Sequence, residues 1–262
     1  MGSHRLLIIL LTVIAVVVAV VFVVTVTRDE DSTPPHPDQS SAASSSSAVA
    51  GSGGSSSDMF GNRLDIPATE TGTPAPQDPA ARPDPAAPGY LNTPPVGLRW
   101  QRGWGGAALP VSASDGPATI TDGIASGFAR TPQGAVLSAA DALGRVLAAP
   151  EQIWQQVVAE RYHGGGEALV DRYARSRART PDAARYVTVP DGVRVAPGYS
   201  PDYAVVEFAV RDQLGYRIAR WPMTWFDGDW RVAVPADLEI LWGPGTYVAS
   251  LTGFSTAWRT GA

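Results

Sequence analysis

Hydrophobic and polar positions divide the chain into stretches of different period. Residues 6–27 carry no charge, with a Leu/Ile block followed by a Val-rich run. As a helix rising about 1.5 Å per residue, this stretch spans the roughly 30 Å hydrocarbon core of a bilayer. Residues 28–95 show no apolar period. Positions 39–57 are almost wholly Ser, Ala and Gly, and 69–88 carry Pro every two to four residues. Such compositions offer too little apolar surface to offset the entropy of ordering, which predicts a disordered linker. Residues 96–262 return to periodic apolar patterns, enough for one domain with a substantial core.

Three helices are predicted within that domain. Thr131 is a natural N-cap and Pro132 suits the first helical position, where a missing N–H costs nothing. Val136, Ala139, Ala140, Leu143, Val146 and Leu147 follow at three- and four-residue spacing, and Pro150 ends the helix. A second helix is predicted over 150–162, with Trp154, Val157 and Val158 on one face, stopped by glycines 164–166. A third covers 167–179, with Leu169, Val170 and Tyr173 inward. Arg172, Arg175, Arg177 and Arg179 crowd its C-terminal half, where basic groups complement the helix dipole.

Beyond Pro181 the period becomes strand-like. Short strands are predicted at 186–189 and 193–196, and longer ones at 203–211, 216–226 and 229–234. Asp227-Gly228, flanked by Trp225-Phe226 and Asp229-Trp230, reads as a two-residue hairpin turn of positive φ. Pro222 falls inside a strand and should lie at an edge or a bulge. The apolar, Gly-punctuated stretches 238–242, 247–251 and 254–258 suggest one more strand or a packed tail.

Composition narrows the chemistry. The chain has no Cys, and all of its 20 basic residues are Arg. Disulfides, thiolate chemistry, Schiff bases and the phosphate-loop lysine are therefore excluded. The net charge of −5 arises in residues 1–95, with four Arg against nine acids; the remainder balances sixteen against sixteen. A neutral domain lacks the electrostatic footprint of nucleic-acid binding, so none is expected.

The N-terminal stretch has one competitor, a cleaved signal peptide. Its apolar core normally runs about 7–15 residues and ends in small residues of the Ala-x-Ala kind. This run is longer, and Thr25-Val26-Thr27 is a poor cleavage site. An uncleaved single-pass anchor is expected, with a head at 1–5, a transmembrane helix at 6–27, a linker at 28–95 and the domain at 96–262. Arg5 and Arg28 tie the positive-inside count. The long polar stretch reads as an exported stalk, which places the N-terminus inside and the domain outside. As a coil this stalk spans about 45–50 Å.

Candidate chemistry meets simpler explanations. His163-Gly-Gly-Gly166 resembles an oxyanion-hole loop, but the nearest nucleophile elbow, Gly253-Phe-Ser-Thr-Ala257, has no His after it. A helix stop explains the glycines. Asp227 is explained by the turn, Asp229 is expected to face solvent, and too few further ligands stand nearby for a metal. No catalytic residue, metal or cofactor is assigned. Trp154 and Trp230 are expected in the core. Trp221 and Trp225 share a strand face and form a candidate partner surface if the helices leave that face bare. Should a ligand-binding or enzymatic pocket lie between helices and sheet, Asp141, Tyr173 and Glu207 are its candidate polar groups.

Helices followed by a long antiparallel meander ending in Trp225-Phe-Asp-Gly-Asp-Trp-Arg-Val232 make an α+β order. It resembles the nuclear-transport-factor-two-like (NTF2-like) and cystatin-like rolls, with helices packed on a curved sheet. Behind an anchor and a stalk, it resembles the extracytoplasmic domain of Gram-positive type IV secretion (conjugation) assembly proteins. More closely, the chain is similar to an uncharacterised family encoded in conjugative elements of high-GC Gram-positive bacteria. That likeness rests on Leu109-Pro110 with Gly116-Pro117, on Gly127-Phe-Ala-Arg-Thr-Pro-Gln-Gly-Ala135, on Trp225 to Val232 and on Leu251-Thr-Gly-Phe254. It implies a membrane-anchored scaffold at the cell membrane, a non-enzyme whose partners are other envelope or secretion-machine proteins or further copies of itself. An accessory subunit of another envelope complex and a small-ligand-binding or enzymatic roll are the alternative functions. The family brings no catalytic residues to transfer.

Overall fold

The computed structural model describes residues 54–259 apart from position 214. The predicted head, the membrane-spanning stretch and the part of the linker up to 53 lie outside the described residues. Among the described residues, no helix is long and apolar enough to cross a membrane.

The fold is mixed α+β, built around α1 (Pro132–Ala148). Thr131 caps it as its residue type predicts: its hydroxyl accepts the Gly134 N–H at 3.0 Å, with Pro132 in the first turn. The sequence suggested one apolar face, but α1 is buried almost all round. Its small residues explain this. A Cβ on Gly134 would stand 2.0 Å from the Ala129 carbonyl oxygen, and one on Gly144 would stand 2.9 Å from Leu109. Neighbouring chain therefore approaches α1 on more than one side. Helix α2 (Ile153–Arg161) starts three residues later than expected, and α3 (Gly166–Arg179) begins on the last of three positive-φ glycines, 164–166.

The main sheet carries β7 (Tyr162–His163), β8 (Gly192–Val195), β9 (Tyr203–Asp212), β10 (Gly215–Phe226) and β11 (Asp229–Ala233), in the order β7-β11-β10-β9-β8. The short β12 (Thr246–Val248) also pairs with β10. The predicted hairpin forms: Asp227 and Gly228 both have positive φ, and Trp225 pairs with Trp230 across it. The predicted strand at 186–189 is absent. Ala183–Tyr186 instead forms a 3-10 turn, because Ala183 is buried and Val187 bonds back to Ala184. The stretch Leu238–Trp242 is likewise a 3-10 turn.

Pro222 lies in the interior strand β10, yet the edge rule still holds locally. The second edge of β10 pairs with β12 at 216–218 and with β11 at 223–226, which leaves a gap between them. Trp225 donates its N–H to the Asp202 carbonyl on the β9 side. Alternation then turns the Pro222 nitrogen toward the gap, where no donor is required.

The largest correction concerns the linker. Residues 54–95 belong to the folded body. β1 (Ser55–Ser57) and β2 (Arg63–Asp65) join β3 (Arg99–Arg102) and β4 (Ala108–Val111) in a second sheet, and β5 (Thr119–Thr121) and β6 (Ile124–Ser126) form a small hairpin. Leu64 is fully buried beside Trp100 and Val189. Asp58 accepts the Val189 N–H, and the Gln101 amide bonds Thr73 through both its oxygen and its nitrogen. Order here comes from side-chain amides and carboxylates that satisfy extended backbone, not from apolar periodicity. The chain end closes over this segment: buried Trp258 donates to the Asn92 carbonyl, and its own carbonyl accepts the Trp100 indole N–H.

Candidate functional site

Two places concentrate unusual chemistry: a buried polar centre beneath the hairpin, and an apolar cleft between α1 and the sheet.

At the polar centre, Asp229 corrects the expectation of a solvent-facing carboxylate. It is buried and accepts the backbone N–H groups of Gly127, Phe128 and Trp230, and its Oδ2 accepts a 2.8 Å bond from Arg161. Arg161 also donates to Ser138 Oγ and to the Trp230 carbonyl, and it stacks under Phe128. The loop at 127–128 reaches the hairpin from a hundred residues away, which no local pattern announces. With its acceptor sites filled, Asp229 anchors the hairpin to α1, α2 and that loop, and it presents no free lone pair to a substrate.

The polar groups proposed for a pocket are scattered. Asp141 sits fully buried on α1, where both carboxylate oxygens accept from Arg145 Nε at 2.8 Å. Arg145 continues to the carbonyls of Thr71 and Gly123, fastening the upstream segment to the helix. Tyr173 shares a 2.8 Å hydroxyl contact with Tyr162 and packs edge-on against Trp242. Burial pushes both phenols above their ordinary range, with the neighbouring Tyr173 adding to the rise at Tyr162. Glu207 lies on the opposite face of the sheet, buried between Arg194 and Arg220 on the flanking strands. Three groups in three environments compose no pocket.

Trp221 and Trp225 are corrected as a partner surface. Strand alternation places Ala219, Trp221, Met223 and Trp225 on the helix side of β10, opposite Phe208, Val206 and Ala204. Trp221 is only 6 % exposed. Trp225 is half-buried, edge-on to Trp230, with Arg130 over its other side. Trp154 and Trp230 are in the core as expected.

Two members of the α3 arginine cluster, Arg177 and Arg172, make structural contacts, the first of them for another helix. Arg177 donates to the carbonyls of Val146, Leu147 and Ala149, capping the C-terminus of α1, and burial lowers its pKa. Arg172 binds Glu239, and that hydrogen bond holds the Glu239 carboxyl below its usual range.

An apolar cleft does lie between α1 and the sheet, but none of the candidate polar groups Asp141, Tyr173 and Glu207 lines it. Its walls include Ala140, Leu143 and Leu147 of α1 and Phe208, Ala219 and Trp221 of the sheet. It is half-open and encloses about 90 Å³. Metabolite and cofactor pockets run to roughly 300–1,000 Å³. No Asp, Glu, His or Arg lines it. Among the described residues, no group of three His, Asp or Glu could hold a metal ion.

Residues 65–256 match the family described as Domain of unknown function (DUF8175). The chain belongs to this family. The matched span begins well upstream of 96, in keeping with a folded body that includes the segment first read as linker. No curated protein and no solved structure matches the chain.

Proposed function

We propose that this DUF8175 chain is a single-pass, membrane-anchored scaffold whose folded body stands outside the membrane and serves in assembling a conjugative, type IV secretion-like apparatus. The observation that carries the reading is a pairing. An uncharged membrane-length stretch at 6–27 precedes a body whose buried carboxylates are engaged in holding segments together. Asp229, Asp141 and Glu207 each accept from arginine, and such saturation suits a rigid shape better than proton transfer. We read the body as an NTF2-like or cystatin-like roll, with its helices against the β8–β11 meander. With residues 54–95 part of the folded body, the proposed stalk is residues 28–53, which as a coil would reach about 25–30 Å.

The functional claim is tested in the native host by replacing the gene with one that ends after residue 53. Transfer of the element is expected to collapse, and the full-length gene in trans should restore it. Transfer at the parental frequency would remove the conjugation assignment.

A further inference from the structure

The β1–β2 hairpin is the part of the body nearest along the chain to the proposed anchor. The described chain begins at Gly54, where a Cβ would stand 3.4 Å from Ile66 at the far end of the hairpin. Residues 28–53 separate this point from the membrane-length stretch, and as a coil they reach about 25–30 Å. An anchored chain therefore keeps the hairpin within reach of lipid. Two features of the hairpin suit a lipid surface. It carries two exposed large apolar side chains, Met59 in the turn and Ile66 after β2, at 47 % and 45 % exposure. Leu64, between them, is the residue that packs, beside Trp100 and Val189. Arginines flank both ends. Arg63 and Arg99 stand 3.4 and 3.7 Å from Asp65, and their side chains are mostly exposed. Arg211 lies over the Phe60 ring, Arg259 donates to Asn62, and both side chains are more than a third exposed. The carboxylates beside them are less open: Asp58 and Asp191 are buried, and Asp65 is about one third exposed. These arginines thus present more positive charge to solvent than the neighbouring acids present negative.

We propose that the β1–β2 hairpin docks on the membrane surface, with Met59 and Ile66 entering the headgroup boundary and Arg63, Arg99, Arg211 and Arg259 meeting anionic lipid phosphates. The inference rests on the anchored reading and deepens it by naming a second contact between body and bilayer. Two apolar side chains bury little area by themselves, and each basic side chain strengthens attachment to an anionic surface roughly fivefold. The tether makes so small a contact sufficient. Docking of a body already linked to the bilayer is an intramolecular step, at an effective concentration on the order of millimolar. A docked hairpin fixes the body's orientation on the membrane, which a bare stalk does not.

The test uses the full chain in lipid nanodiscs and exploits the absence of Cys. Single-cysteine variants Met59→Cys, Ile66→Cys and Ile240→Cys are labelled with a fluorescent dye. Ile240 is exposed but lies in the Leu238–Trp242 turn, which Glu239 fastens to α3, outside the second sheet. The nanodiscs are of phosphatidylcholine alone or mixed with phosphatidylglycerol, each with a doxyl-labelled quencher lipid. In the mixed discs the dye at 59 and at 66 is expected to be quenched strongly and the dye at 240 hardly at all. Quenching should be weak in phosphatidylcholine alone. It should also fall at about 1 M salt, where screening shortens to roughly 3 Å. Arg63→Gln/Arg99→Gln removes two exposed cations outside the core and should weaken docking roughly 25-fold, fivefold for each. Met59→Ser, read from the label at 66, should weaken it as well. The proposal is overturned if 59 and 66 are quenched no more than 240, if phosphatidylglycerol makes no difference, or if the double arginine variant docks like the parent. Anchoring is read separately, from whether the chain co-purifies with the discs. A chain that does not would refute the anchored reading, and the same labels with added vesicles of the two compositions would still decide the docking.

Discussion

Asp141→Leu is expected to destabilise the folded body by about 3–5 kcal/mol, the cost of leaving one member of a buried ion pair without its partner. Both members are almost completely buried, and Asp141 accepts twice from the same Arg145 nitrogen. Without the carboxylate, the Arg145 guanidinium stays inside α1's packing with the Thr71 and Gly123 carbonyls and the Trp104 ring to receive it, and no counter-charge. For a body of about 200 residues this corresponds to a fall in melting temperature of roughly 10–15 °C. The double variant Asp141→Leu/Arg145→Met removes both charges together and should cost less than Asp141→Leu alone. Thermal unfolding of the full chain decides the matter. A double variant less stable than the single one would show that Arg145 matters for its reach to the upstream segment rather than for its charge balance.

Trp230→Ala is the second large effect. Trp230 is fully buried at the hairpin, with Trp225 edge-on and Tyr199 tilted beside it. Its indole N–H donates at 2.9 Å to the Ala129 carbonyl, which lies just before the N-cap of α1. Truncation removes the largest buried side chain at this junction, at a typical cost of about 3–5 kcal/mol. It also removes one of the two donors to the Ala129 carbonyl, which keeps the Thr131 N–H, and the lost hydrogen bond adds about 0.5–1.5 kcal/mol. Trp230→Phe keeps most of the volume and loses only the hydrogen bond, so it should fall well short of the alanine variant. Equal losses from the two would place the stabilisation in the hydrogen bond instead of the packing. Denaturant unfolding followed by tryptophan fluorescence distinguishes these outcomes.

The elements that could be read from the sequence were those with local causes. The Thr131-Pro132 start of α1, the glycine stop before α3 and the Asp227-Gly228 turn each depend on residues within a few positions. The elements that escaped depend on distant partners. Residues 54–95 look like linker because their order is held by single anchors. Leu64 sits beside Trp100, Gln101 bonds Thr73, and Trp258 closes from the far end of the chain. Met59-Phe60 and Leu64-Asp-Ile66 interrupt the polar composition of this stretch, and of these only Leu64 is fully buried. Strand period correctly put Trp221 and Trp225 on one face, but period alone does not say which face the helices cover. Asp229 was misplaced for a related reason: the amides that bind it belong to Gly127 and Phe128. Glu207 is polar in an apolar strand because Arg194 and Arg220 flank it in register across three strands, which becomes visible only once the pairing is known.

The central claim is that this body stands outside the membrane, and the Cys-free sequence allows a clean test. Ile240 is 64 % exposed and lies in a short 3-10 turn away from the buried centre, so Ile240→Cys introduces a single accessible thiol. In intact spheroplasts carrying the full chain, a membrane-impermeant maleimide is predicted to label this cysteine to the same extent as after lysis. Labelling that appears only once the membrane is broken would contradict the account.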